Sequence, residues 1–212
     1  MHQFFRANYK PLALQLYWII YLVWFSLLER NIAPHFWMDG PLDKLVPFCE
    51  WFVFPYLIWF PYMLGMLLYF LRHSLTDYYR LCFFLFAGMT ICLLIYTLLP
   101  NGQGLRPLAM PRDNLACRLV QMIYQADTPT NVAPSIHVLN SVGVHLVLSK
   151  SRCFQEKPLL RGAFLVLAVA ICLSTVFIKQ HAVMDGLLAL LLSLPLYFLT
   201  YRVGYRVAFR AA

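Results

Sequence analysis

Four residues of this chain have the types and spacing for phosphoryl transfer. His181 and Asp185 are four apart, which on a helix puts both on one face. A carboxylate there holds an imidazole in one tautomer and stabilises its cation. His137 follows Pro134-Ser135-Ile136 at the start of an apolar run, a helix start, because Pro and Ser suit its first positions. Arg106-Pro107 closes another apolar run. A permanently charged arginine and helix N-terminal amides neutralise phosphate oxygens. Of two histidines, one can attack phosphorus while the other protonates the leaving oxygen. Each place also has a plain reading: an interfacial arginine, a chance interfacial histidine, a structural ion pair. Together, on one side of one membrane, they form a phosphoryl-transfer set.

The elements that must position them follow from composition. The 212 residues are 61% hydrophobic and 12% charged, with a mean hydropathy of +0.66. Soluble domains are about 45–50% apolar and about 25% charged. This excludes an ordinary cytosolic enzyme, a disordered chain and a disulfide-stapled secreted module, and predicts an all-α polytopic membrane protein with residues 1–212 as a single integral membrane domain. Apolar runs cover residues 11–28, 51–71, 81–100, 137–149, 162–178 and about 182–201. A crossing helix needs about 20 residues, so six transmembrane helices are expected, some borrowing their flanks. The runs do not alternate, against a barrel. The first is too long for a signal peptide and lacks a cleavage site. Residues 101–133 read as one long polar loop, a length that usually carries function.

Six spans put both termini with the 73–80 and 150–161 loops. That side carries eleven bases (Arg6, Lys10, Arg72, Arg80, Lys150, Arg152, Lys157, Arg161, Arg202, Arg206 and Arg210) and two acids, Asp77 and Glu156. The other carries six bases (Arg30, Lys44, Arg106, Arg112, Arg118, Lys179) and seven acids (Glu29, Asp39, Asp43, Glu50, Asp113, Asp127, Asp185). Positive residues mark the cytoplasm. Both termini are therefore expected inside the cell membrane and the 101–133 loop outside. The net charge of +8 is then topology, with no nucleic-acid partner required. The six cysteines have no metal-ligand spacing and read as buried thiols; a Cys49–Cys117 disulfide is the alternative.

These residues resemble the type 2 phosphatidic acid phosphatase superfamily, the membrane lipid phosphate phosphatases related to vanadium haloperoxidases. Its signatures are K-x6-R-P, P-S-G-H and S-R-x5-H-x3-D. Here they read Leu99…Arg106-Pro107, Pro134-Ser135-Ile136-His137 and Ser174-Thr175…His181…Asp185, within a core of about residues 80–200. The resemblance implies a haloperoxidase-like core without metal or cofactor. It implies His181 as nucleophile, Asp185 as its orienter and His137 as general acid. Arg106 would grip the phosphate, Ser135 would add a donor, and Ser174 would share the His181 face. Leu99, Ile136 and Thr175 depart from the signature Lys, Gly and Arg. Lys179 or Arg112 is the expected replacement for the lost cations, an interfacial anchor being the other role for Lys179. The P-S-x-H and K-Q-H-x3-D forms look more like the branch of the inositolphosphorylceramide and sphingomyelin synthases.

The expected activity is hydrolysis of a lipid phosphomonoester or diphosphate through a phosphohistidine at the extracytoplasmic interface, with membrane lipids as partners. Lipid head-group phosphotransfer is the first alternative, and a non-enzymatic transporter or scaffold the second. Among other polar positions, His145 is expected as a helix–helix hydrogen bonder, Asp127 and Asn131 as loop-ordering or head-group residues, and Tyr96 and Tyr124 as phosphate donors. Glu29 is expected to pair with a nearby cation; His2, His35 and His73 read as surface residues.

Overall fold

The computed structural model describes residues 11–202. The expectations placed on His2, Arg6, Lys10, Arg206 and Arg210 lie outside these residues. Seven α-helices are described: α1 (Tyr17–Asn31), α2 (Val53–His73), α3 (Leu75–Leu98), α4 (Leu115–Ala126), α5 (Ile136–Lys150), α6 (Pro158–Phe177) and α7 (Val183–Arg202). The runs made of branched and aromatic apolar residues are helical because a chain in lipid must satisfy its backbone internally. Five helical stretches are long and apolar enough to cross a membrane: Pro11–Asn31, Glu50–His73, Leu75–Leu98, Pro158–Phe177 and Val183–Arg202. The remaining expected span forms α5, whose 15 residues extend about 22 Å, less than a hydrocarbon core of about 30 Å.

Capping chemistry sets several boundaries. Ser74 Oγ accepts from Asp77 N (3.3 Å) at the start of α3 and Ser135 Oγ from Val138 N (3.4 Å) at the start of α5. Pro158 occupies a first-turn position of α6, where its missing N–H loses nothing. The 101–133 stretch is not one loop. Asn114 Oδ1 accepts from Cys117 N (2.8 Å) and starts α4. Its apolar Ala116, Cys117 and Val120 are buried, and Ala116 and Val120 pack with Val53 and Tyr56 of α2 and with Ile178. The polar residues between them masked this period from a reading by composition. Two short strands, β1 (Phe36–Trp37) and β2 (Asn101–Gly102), pair in parallel with Phe36 opposite Asn101.

The centre of the bundle is α5, packed against α2, α3, α6 and α7. Close approach of α3 and α5 depends on glycine. A Cβ on Gly143 would stand 2.3 Å from the Phe84 ring, and one on Gly88 would stand 2.9 Å from Leu139. By contrast, α1 lies outside, against α3. Tyr17 and Thr90 share a hydroxyl hydrogen bond (2.7 Å) and Trp24 Nε1 donates to Thr97 (3.1 Å). Its Ile19, Ile20, Leu22 and Val23 are exposed, as are outward apolar residues of α2, α6 and α7, the pattern of helices solvated by lipid tails. All six cysteines are free thiols, so Cys49 and Cys117 are not joined.

Candidate active site

Three segments converge at one end of the bundle. The first is the turn from α6 into α7. Thr175 O accepts from both Gln180 N (2.9 Å) and His181 N (3.0 Å), and Lys179 takes a left-handed φ of 55°. One such residue after a helix is a common way to end it, and it turns Gln180 and His181 inward, 2% and 8% exposed. The second is the 127–135 loop. Asn101 Oδ1 accepts from Val132 N (2.9 Å) and Ala133 N (2.8 Å), its amide donates to Ala133 O (2.9 Å), and Tyr96 donates to Pro134 O. The third is residues 103–107, held by Gln103, whose amide donates to Lys179 O (2.9 Å).

His181 and Asp185 do not share a helix face as the spacing suggests, because α7 begins at Val183. Instead Asp185, in the first turn, reaches back. Its Oδ2 accepts from Ala182 N (2.8 Å) and meets His181 Nδ1 at 3.2 Å. A carboxylate returning to the amide ahead of its helix is the geometry of half a capping box. Ser135 N donates to Asp185 O (3.0 Å) and so ties the start of α5 to the start of α7. The buried Oδ1 of Asp185 has no partner among the described residues.

The His137 ring lies 5.7 Å from that of His181, edge to face. It is packed against Tyr56 (4.6 Å, stacked) and Trp59 (4.2 Å), both from α2. These rings fix the orientation of the imidazole and shield it from solvent. His137 Nε2 is buried without a partner among the described residues.

Arg106 completes the group. One terminal nitrogen donates to Tyr124 O (3.2 Å) and Asp127 O (2.9 Å), the other to Gln180 Oε1 (2.5 Å). The guanidinium lies 4.5 Å from the Tyr124 ring centroid, and its Nε is buried without a partner. Burial pulls its pKa down and the Asp127 carboxyl opposes; an arginine stays charged regardless. Burial pushes the Asp127 carboxyl up to about 6, Glu29 adds to this, and His181 and Arg106 oppose it.

Arg106, His137, His181 and Asp185 thus lie at the same end of the bundle. Three other expected site residues are engaged elsewhere. Ser135 Oγ caps α5, while Ser174 Oγ turns back to Ile171 O (2.6 Å). Lys179, expected as a replacement cation, donates from Nζ to Asp43 O and Val46 O, and burial lowers its pKa. Arg112, the other candidate replacement, pairs with buried Glu50. Tyr124 donates to Ile178 O and Tyr96 to Pro134 O, so neither hydroxyl is turned to a phosphate. Glu29 accepts from Thr128 N (3.1 Å) and Thr128 Oγ1, with no cation. His145 makes no helix–helix hydrogen bond through its buried Nδ1. His73 lies exposed over Tyr69.

Sequence reasoning missed Gln180, Tyr56, Trp59, Asn101 and Asp43. Asp43 caps α7, its Oδ1 accepting from Val183 N (2.8 Å). Gln180 stood in plain view beside His181, but a neutral amide gives no signal until its partners are known. Among the described residues, no group of three or more His, Cys, Asp or Glu is arranged to hold a metal ion. Compared with family models, curated proteins and solved structures, the chain has no match.

Proposed function

We propose that this chain is an integral membrane lipid phosphate phosphatase of the phosphatidic acid phosphatase type. It hydrolyses a lipid phosphomonoester or diphosphate through a phosphohistidine, with six crossings, both termini cytoplasmic and the site at the extracytoplasmic interface. The observation that carries this is the juxtaposition of two histidines 5.7 Å apart, one on a buried carboxylate, near a half-buried arginine. Ionisable groups at such depth are costly and are kept for function.

In the first step His181 Nε2 attacks phosphorus in line. Asp185, on Nδ1, holds the tautomer that leaves Nε2 unprotonated and offsets the charge that develops on the ring. The P–N bond forms as the P–O bond to the lipid breaks, and His137, entering as the imidazolium, gives its proton to the leaving oxygen. Arg106 compensates the phosphoryl charge. In the second step His137, now neutral, takes a proton from water. The resulting hydroxide oxygen bonds to phosphorus, the P–N bond breaks, and phosphate leaves with both histidines restored.

A second reading, phosphotransfer to a lipid hydroxyl, is favoured by the single arginine in the site. Lys179 and Arg112 are both engaged elsewhere, and a cradle with one cation suits a phosphodiester better than a doubly charged monoester. The test is to incubate the purified chain with labelled lipid phosphates, with and without a lipid alcohol, and to identify products and an acid-labile phosphoenzyme. Release of phosphate through that intermediate is expected; transfer product alone would select the second reading. Normal turnover by His181→Ala would sink both.

A further inference from the structure

We infer that Gln180 is a neutral spacer: its amide stands between the guanidinium of Arg106 and the carboxylate of Asp127 and keeps the two from forming an ion pair. Arg106 thereby keeps an uncompensated charge for a phosphate oxygen, which rests on the reading of this site as a phosphoryl-transfer site.

The partners dictate this role. Among the described residues, every acceptor of the Arg106 guanidinium is neutral: the carbonyls of Tyr124 and Asp127 and the amide oxygen of Gln180. Asp127 gives Arg106 its backbone oxygen and not its carboxylate. That carboxylate accepts from Gln180 Nε2 at 3.2 Å, and no Arg106–Asp127 ion pair lies within bonding distance. Arginine only donates and a carboxylate only accepts, so a side chain with a donor end and an acceptor end is required between them, and an amide supplies both while staying neutral at any ordinary pH, as an imidazole does not. Gln180 is 2% exposed, and Tyr56, which stacks on His137, is a third partner at 3.4 Å. A cation and a carboxylate in such a shielded place attract far more strongly than in water, so removal of the spacer lets them collapse together. An incoming phosphate would then have to displace the carboxylate.

The experiment uses the full chain in detergent. The Asp127 carboxyl is titrated through its infrared carbonyl band, assigned by difference from Asp127→Asn. Inorganic phosphate binding is measured by calorimetry. The charged and titratable groups facing Asp127 are Glu29 and Tyr21 from α1, Tyr56 from α2, Tyr96 from α3, Arg106 and His181; all remain in the variants. In the wild type the band titrates near pH 6. In Gln180→Met it is expected to move below about 4, as for a carboxylate on an arginine, and phosphate affinity is expected to fall at least about tenfold. Adding Asp127→Asn to Gln180→Met restores phosphate affinity to that of Asp127→Asn alone, because no carboxylate is left to collapse on. In Gln180→Glu the anion sits on Arg106 itself, so phosphate affinity falls and Asp127→Asn does not restore it. An unmoved Asp127 band in Gln180→Met, a double variant as weak as the single one, or a wild type that binds no phosphate overturns the inference. A chain that behaves as expected here yet hydrolyses no lipid phosphate removes the phosphatase reading and leaves the spacer standing.

Discussion

The two ends of the helix bundle each bury an aspartate, and they satisfy it differently. At the end away from the histidines, Asp77 is 5% exposed. Its Oδ2 accepts from Ser74 Oγ (2.9 Å) and Ser151 Oγ (2.7 Å), and its Oδ1 from Arg80 (3.0 Å). The carboxylate ties the α2–α3 turn to the segment after α5 and has donors on both oxygens. At the other end Asp185 is fully buried and one of its oxygens has no donor. Among the described residues, His137 Nε2 and Arg106 Nε are likewise without partners. A buried polar atom left unpaired costs about 1–3 kcal/mol. A carboxylate with donors on both oxygens locks structure; unpaired atoms clustered around two histidines are groups held ready for something else. The same residue type is a clasp in one place and part of the candidate site in the other.

The largest test of this contrast pairs one variant from each end. His181→Ala is expected to reduce lipid phosphate turnover by about 10⁴-fold or more with little change in melting temperature. Asp77→Ala should do the reverse, losing about 1–3 kcal/mol of stability as the Ser74 and Ser151 hydroxyls lose their acceptor, with activity per folded molecule near wild type. Equal loss of activity in both would erase the distinction. Asp185→Asn follows. Its amide would hold the wrong His181 tautomer, so kcat should drop by roughly 10³–10⁴-fold, as in other histidine–carboxylate pairs. Arg106→Lys keeps the charge and loses the planar fork, so KM should rise by about tenfold or more.

Gly143→Ala probes the core that joins the two ends. The new methyl meets the Phe84 ring, and chemical unfolding should report a loss of about 1–3 kcal/mol with unchanged kinetics per folded molecule. A last test belongs to pH and to the site end. The folded pKa of Asp127, about 6, lies above the ordinary value of about 3.9. The folded chain therefore holds this proton where the unfolded chain has lost it. Stability should fall as pH rises from about 4 to about 6, by at most about 3 kcal/mol, and stay flat above. Melting temperatures of wild type and Asp127→Asn across that window check it: the slope should vanish in the variant.

Much of the fold was legible because lipid permits few solutions. Runs such as 162–178 and 182–201 had to be helices, and α6 and α7 fall within a few residues of them. The short α5 and the amphipathic α4 were harder. The first is set by packing on four neighbours, and the second buries only one narrow face in a stretch rich in polar residues. In the site, Arg106, His137, His181 and Asp185 were readable because charged groups beside apolar runs are conspicuous. Gln180, Tyr56 and Trp59 were not, since a neutral amide and two aromatics in an aromatic-rich helix carry no chemical mark of their own.

By itself the sequence determined the apolar helical character and the four ionisable residues of the candidate site. These follow from composition and order along the chain, which solvation reads directly. Only the tertiary structure decided which cations are engaged. Lys179 and Arg112 are as charged as Arg106, yet carbonyls of the 43–46 segment hold one and Glu50 holds the other. Charge is a property of the residue. Whether that charge is compensated depends on which distant groups the fold brings within hydrogen-bond reach, and no local pattern encodes that distance.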